Sequence, residues 1–282
     1  MEYNEQSMEI KLIALDLDGT FLDSKGRIPA ENRAVIAECA RRGVIIALSS
    51  GRMTVCITPF ADALGIDCPV ISYNGAMVCA RVAVDRRMIF HDPLPVEHGD
   101  RIISYCREER FFLNVYVNDI LHADNNPEFA RYAKIYADQT GAIYRLVDDI
   151  RTVMGNASTK LILITDVENR DRKRTRDFQY EYFSGLFGGA VTLFKTNPEY
   201  LEFLKQGVDK GVGLERLAAF YGIPREKIVA FGDGENDIAM LRYAGTGVAV
   251  ANAGESVKKS ADVVLAWTND EAAVGKYLSK MI

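Results

Sequence analysis

The stretch IKLIALDLDGT, residues 10–20, carries a predicted buried strand directly into two aspartates. Residues 10–15 are apolar apart from Lys11, which is typical of a strand covered on both faces. Asp16 and Asp18 then stand together at the strand end, where they repel each other and lose hydration. That arrangement is costly unless a cation compensates or one carboxyl group takes a proton. Taken alone, the motif also fits two solvated aspartates in a turn before a glycine.

Short apolar strands alternate with helices in the first and the last part of the chain. Strands are predicted at 44–48, 70–73, 228–231, 247–250 and 263–265, and helices at 30–42, 53–64, 212–222 and from about 236. Uniformly apolar strands separated by helices predict an α/β fold whose core is a Rossmann-like, doubly wound parallel sheet. In such sheets the ligand lies beyond the carboxyl ends of the strands.

The middle of the chain has a different pattern. Residues 112–117 and 120–123 flank Asn118-Asp119 and predict a hairpin, and residues 160–165 and 191–194 predict further strands. We therefore expect an α+β insertion over 85–195, with 1–84 and 196–282 pairing into one core. A length of 282 residues fits about two domains at roughly 150 residues each.

Composition excludes several classes of protein. A net charge of −5 disfavours nucleic-acid binding through bulk charge, and the longest apolar runs are too short for a membrane span. Five cysteines without CxxC spacing argue against a zinc knuckle or a disulfide framework and for a reducing compartment.

The acidic, polar start does not resemble a targeting segment, so a cytoplasmic location is expected. The three histidines all lie between 91 and 122, so chemistry elsewhere must use carboxylates, hydroxyls and lysine.

Further polar clusters follow other predicted strands or begin helices. Ser50 and Gly51 offer a hydroxyl and free N–H groups to an anion, although a serine N-cap is the better explanation of this motif taken alone. Asn74 follows the third strand and also fits a plain turn. Lys210 precedes a late helix and carries a charge suited to phosphate oxygens, and the acidic segment 232–237 offers oxygen ligands that suit Mg²⁺. Because these clusters follow strands or begin helices of one predicted sheet, we expect them to meet at the carboxyl edge of that sheet. Together they predict a site that binds a metal ion and a phosphate group.

Four of these motifs, in this order, resemble motifs I to IV of the haloacid dehalogenase superfamily. They are DLDGT (16–20), SGR (50–52), Lys210-Gly211 and GDGENDIAM (232–240). The long insertion resembles the type IIB cap of Cof-type sugar phosphatases, and the resemblance covers nearly the whole chain beyond the first eight residues. Ser50 stands where many members carry threonine, which keeps the hydroxyl group.

The resemblance implies a role for each motif residue. Asp16 would be the nucleophile, and Asp18 would protonate the leaving alcohol and then deprotonate the attacking water. The implied Mg²⁺ ligands are Asp16, the backbone carbonyl of Asp18, Asp233 and the supporting Asp237. The implied phosphate-binding residues are Leu17, Ser50, Gly51, Lys210 and Asn236. Asn74 and Arg52 are the implied substrate-binding residues, with Asn74 expected at the mouth of the site beneath the cap.

The sequence therefore predicts a Mg²⁺-dependent phosphatase of small phosphorylated metabolites, with sugar phosphates favoured, that works through an aspartyl-phosphate. A phosphosugar mutase and a non-catalytic phosphosugar-sensing regulator remain open on the same scaffold. Residues 47–51 come near the G-x-S-x-G nucleophile elbow, but no histidine follows His122 to complete a triad. Neither the preferred metabolite nor the oligomeric state can be predicted. Within the insertion, His122 is a candidate for substrate contact, although an ordinary surface or core histidine is the more common case.

Overall fold

The computed structural model describes residues 9–80, 87–154, 158–166, 168–196 and 198–281. The chain divides into two compact units. The core unit comprises Met1–Phe90 and Asp209–Ile282, and the inserted unit comprises His91–Val208. None of the described helices combines the length and apolar character that crossing a membrane requires.

The described secondary structure alternates strands and helices through most of the chain. The strands are β1 Leu12–Asp16, β2 Ile45–Ser49, β3 Val70–Ser72, β4 Met77–Ala80, β5 Arg87–His91, β6 Phe112–Val117, β7 Ile120–Asp124, β8 Tyr144–Val147, β9 Lys160–Ile164, β10 Val191–Thr196, β11 Tyr200–Lys205, β12 Ile228–Gly232, β13 Thr246–Ala249 and β14 Val263–Val264. The α-helices are α1 Ala30–Arg41, α2 Thr54–Leu64, α3 Val96–Glu108, α4 Ala130–Thr140, α5 Arg176–Phe187, α6 Lys210–Tyr221, α7 Ile238–Tyr243, α8 Glu255–Lys258 and α9 Ala273–Leu278.

The core sheet has the order β14-β13-β12-β1-β2-β3-β4-β5. Neighbours from β14 to β3 run parallel, and β4 is antiparallel to β3. Every residue of β1 and of β12 is buried, as expected for central strands of a parallel sheet. The predicted α/β fold with a parallel core sheet is confirmed, and β4 and β5 are additions that the sequence pattern did not reveal.

The inserted unit contains a second sheet of order β10-β11-β9-β6-β7-β8. Apolar residues of α3 and α5 pack with alternate residues of β6, β9 and β11 into one buried cluster. The predicted hairpin exists as β6 and β7, paired antiparallel. His122 on β7 is buried, which agrees with the ordinary structural interpretation of that residue.

The boundaries of the inserted unit differ from those predicted from the sequence. The expected limits were 84/85 and 195/196, whereas the compact units divide at 90/91 and 208/209. The later limit moves because β10 forms an antiparallel hairpin with β11, pairing Thr196 with Tyr200. β11 also pairs with β9, so residues 200–205 belong to the second sheet.

Candidate active site

The register of the core sheet explains how residues more than 200 positions apart become neighbours. Leu15 on β1 pairs with Phe231 on β12, so Asp16 and the segment that follows Gly232 leave the sheet side by side. On the other side of β1, Asp16 pairs with Ser49, the last residue of β2. The carboxyl ends of these parallel strands therefore place acidic and hydroxyl groups at one edge, where ligands bind in such sheets.

Lys210 is the central cation of this edge. Its Nζ donates to Asp16 Oδ1 and to Asp237 Oδ1, each at 2.6 Å, and its side chain is fully buried. The helix start fixes its position, because the N-cap Asp209 accepts a hydrogen bond from the Val212 N–H and α6 begins at Lys210. Asp237 Oδ2 in turn accepts the backbone N–H groups of Asp233 and Gly234.

The carboxylates crowd one another despite this lysine. Oxygens of Asp16, Asp233 and Asp237 lie within 4.8 Å of one another, and Asp16 is only 6% exposed. Burial, and then the charge of Asp237, raise the pKa of Asp16 well above its ordinary value, with Lys210 opposing. Burial also raises the pKa of Asp233. Burial lowers the pKa of Lys210, but Asp16 and Asp237 outweigh that effect and raise it.

This cluster fits a divalent cation. Three carboxylates against one ammonium group leave two negative charges, the charge that one Mg²⁺ neutralises. Oxygens of Asp16 and Asp233 lie within 4.8 Å of each other, so their charges repel unless a cation or a proton compensates. The donors are hard oxygens, which Mg²⁺ prefers. The residues present therefore fit the metal that the sequence predicts.

Asp18 lies apart from this cluster. Its carboxylate forms a two-point ion pair with Arg52, with Nε to Oδ2 at 2.8 Å and Nη2 to Oδ1 at 2.6 Å. Asp18 and Arg52, for which the sequence predicts separate catalytic and substrate-binding roles, therefore contact each other. The metal contact expected of Asp18 concerns its backbone carbonyl, and that contact stays a prediction.

The remaining predicted residues line the same edge. Ser50 is buried and its Oγ accepts a hydrogen bond from the Arg52 N–H at 3.2 Å. Asn74 Oδ1 accepts from Asn236 Nδ2 at 2.9 Å, which links the end of β3 to the turn before α7. Asn74 is buried, and its expected place at the mouth of the site stays a prediction. A side chain at Gly51 would approach Asn74 Oδ1 to 3.0 Å, so the small residue permits this close contact. Leu17, expected to offer its N–H group, has a fully buried side chain.

Two supporting residues were not assigned roles from the sequence. Thr20 Oγ1 donates to Asp233 Oδ1 at 2.6 Å, and Asn252 Nδ2 donates to the carbonyl of Gly19 at 2.7 Å. Gly19 has φ +83°, and a Cβ there would lie 2.5 Å from Asp233 Oδ2, so the turn requires glycine. Thr20 belongs to the DLDGT motif, and Asn252 follows strand β13. A polar residue shortly after a predicted strand is therefore the sequence feature that could have indicated a role for each.

Replacement of Lys210 by methionine should destabilise the chain by about 3–5 kcal/mol, because it leaves buried carboxylates without their cation. Urea unfolding in chelator-containing buffer measures the change, with exposed Lys259→Met as the matched control, expected within about 0.5 kcal/mol of wild type. Carboxyl groups with a raised pKa bind more protons when folded, so the stability of Lys210→Met should rise as the pH is lowered from neutrality. An effect like that of the control would contradict the ion pairs.

Comparison with known proteins identifies the class. A model of the haloacid dehalogenase-like hydrolase family matches residues 13–278, and the chain belongs to this family.

Curated relatives narrow the class further. The chain is 28% identical over 280 residues to the 5-amino-6-(5-phospho-D-ribitylamino)uracil phosphatase YitU of Bacillus subtilis (strain 168), covering 97% of this chain and 98% of that protein. It is 28% identical to the pyridoxal phosphate phosphatase YbhA of Escherichia coli (strain K12), covering 92% and 94%. The crystal structure of TM0651 from Thermotoga maritima matches with a TM-score of 0.84 and 32% identity, covering 96% and 97%. The chain is thus a phosphatase of the Cof type, and the predicted enzyme class is confirmed.

Proposed function

We propose that this enzyme hydrolyses phosphate monoesters of small polyhydroxylated metabolites, with sugar phosphates as the favoured class, through an aspartyl-phosphate on Asp16. The observation that carries the proposal is the buried Lys210 bridging Asp16 and Asp237 beside Asp233. This arrangement gathers at one strand edge a carboxylate that can act as nucleophile, a buried cation and two further carboxylates that can hold Mg²⁺ against a dianionic phosphate ester. The relative YitU, whose name contains a phosphorylated ribityl group, supports a polyol phosphate as substrate.

In the first step a carboxylate oxygen of Asp16 attacks phosphorus and the bond to the ester oxygen breaks. Lys210 holds Asp16 Oδ1 at 2.6 Å, which fixes the rotation of the nucleophile. Asp18 gives its proton to the departing oxygen, so that the leaving group departs as a neutral alcohol. For this step Asp18 must exchange its contact with Arg52 for the ester oxygen.

In the second step the Asp18 carboxylate takes a proton from water, and that water attacks phosphorus. The bond from phosphorus to Asp16 breaks, inorganic phosphate forms, and Asp16 returns as a carboxylate. Dividing the reaction in two lets one carboxylate act first as acid and then as base. Phosphoryl oxygens are proposed to contact Lys210, Asn236, the Ser50 hydroxyl and the N–H groups of Leu17 and Gly51.

Mg²⁺ is the proposed cofactor, held by Asp16, Asp233 and Asp237 with the Asp18 backbone carbonyl. When bound, it would neutralise negative charge on the phosphoryl group and on the nucleophile. The inserted unit is proposed to select the leaving group. A reducing, cytoplasmic setting belongs to the same proposal and is favoured by five cysteines that lack CxxC spacing.

A screen of phosphorylated metabolites tests the substrate class. Phosphate release should be strongest for sugar and sugar-alcohol phosphates, and weak for nucleotides, when Mg²⁺ is present. Release that prefers nucleotides or phosphoproteins would contradict the substrate class while leaving phosphatase activity standing. No release from any phosphate ester, from folded and metal-loaded protein, would contradict the whole proposal.

Mg²⁺ should stabilise the fold, because it removes the repulsion within the carboxylate cluster. At about 100 times its Kd, the ion should add about 2.7 kcal/mol to the free energy of unfolding. Thermal melts with and without Mg²⁺ measure the shift. Asp233→Asn should lose most of it, whereas exposed Asp62→Asn should keep it. Equal shifts in both variants would place the ion elsewhere.

A further inference from the structure

The strand β8 forms one edge of the sheet in the inserted unit. It pairs with β7 in parallel, and among the described residues no strand pairs with its other side. An unpaired strand edge presents backbone N–H and carbonyl groups that another strand can bind.

Exposed apolar side chains accompany this edge. Ile143, directly before β8, is 86% exposed, and Leu146 within it is 52% exposed. Ile120, which begins β7, is 38% exposed and adjoins Ile143, because the register pairs the following residues Leu121 and Tyr144. Because side chains alternate along a strand, Ile143 and Ile120 lie on one face of the sheet and Leu146 on the other, so apolar side chains flank the open edge on both faces and gain from being covered.

Charge along the edge indicates what covers it. Arg145 lies near the start of β8, and Asp148 and Asp149 follow its end. Asp148 is exposed. Asp149 Oδ1 accepts hydrogen bonds from Arg107 and from the Arg151 N–H, which leaves Oδ2 for a further cation. An antiparallel second copy of the same strand sets the arginine of each copy beside the aspartates of the other. A parallel copy in register would set arginine against arginine, so the strand is self-complementary in the antiparallel direction only.

We propose that the free edge of β8 pairs antiparallel with β8 of a second copy of this chain, giving a symmetric dimer with one continuous sheet. A symmetric pair uses the same patch on both copies, as this self-complementary strand requires. β8 has only four residues, so the interface falls below the roughly 1,200 Å² of stable complexes and the dimer is weak, with a micromolar or higher Kd.

Sedimentation velocity of the intact chain between about 5 and about 500 µM tests the pairing. Wild type should shift from monomer to dimer, and Leu146→Asp should raise the Kd at least about tenfold. Val264→Asp is the matched control, because Val264 is 49% exposed on the edge strand β14 of the core sheet. The control should associate like wild type. Thermal melts establish that both variants are folded.

A charge exchange tests the antiparallel direction. Arg145→Glu alone and Asp148→Arg alone each set like charges together in a homodimer, so each should raise the Kd about tenfold. An equimolar mixture of the two variants pairs opposite charges at both ends and should regain the wild-type Kd. A monomer at every concentration, a dimer insensitive to Leu146→Asp, an equal loss in the control, or a mixture no tighter than its parents would each overturn the proposal.

Discussion

Asp16→Asn should lower kcat/KM for every phosphate ester by about 10⁴-fold or more, because an amide cannot accept the phosphoryl group. The fold should survive. Burial raises the pKa of Asp16, so its ionised form is disfavoured in the metal-free folded state, and a neutral amide of the same shape should be tolerated or stabilising there. Steady-state phosphate release gives the loss, and circular dichroism with thermal melts checks the fold.

Asp62→Asn controls for loss of one acidic group, because Asp62 is exposed on α2 of the same unit. Its turnover should match wild type. Retention of more than about a tenth of wild-type activity by folded Asp16→Asn would be incompatible with covalent catalysis at this residue.

Asp18→Asn should slow hydrolysis most for esters whose leaving group must be protonated as it departs. For a sugar phosphate, whose alcohol is a poor leaving group, the loss should be about 10²–10⁴-fold. For p-nitrophenyl phosphate the phenolate leaves without protonation, so release of the phenol in a single turnover should fall much less. Rapid-quench measurement of alcohol release isolates this first step from the later hydrolysis, in which Asp18 is also proposed to act.

Equal losses for the two esters in the single-turnover experiment would remove Asp18 from the role of acid. The companion variant Arg52→Met disrupts the ion pair that holds Asp18 at 2.6–2.8 Å but leaves the carboxyl group in place. It should therefore keep the leaving-group dependence of wild type even where its rate is reduced.

The sequence predicts the edge at which the site forms because buried strands and the polar residues that follow them are local features. Residues 10–15 and 228–231 are recognisable as strands without knowledge of their partners. The register that sets Leu15 against Phe231 then brings Asp16 beside the segment after Gly232. The position of each acidic group at a strand end was thus predictable, and the helix that begins at Lys210 differs from its predicted start by two residues.

The contacts within the site depended on folding and could not be predicted from spacing. Lys210 was expected to meet phosphate, and nothing local indicates that it bridges Asp16 and Asp237. The pairing of Asp18 with Arg52 likewise joins side chains from two different loops. The sequence pattern does not predict β11, because the assignment of Tyr200–Lys205 to the second sheet depends on its pairing with β9 and β10.

The central claim is that Asp16 carries the phosphoryl group during turnover. Rapid quenching of the enzyme with saturating sugar phosphate and Mg²⁺, followed by borohydride reduction and peptide mass spectrometry, tests it most directly. The prediction is homoserine at position 16, formed by reduction of an aspartyl-phosphate, and none in Asp16→Asn. Full turnover with an unmodified residue 16, or a phosphoryl group trapped on another side chain, would contradict the account.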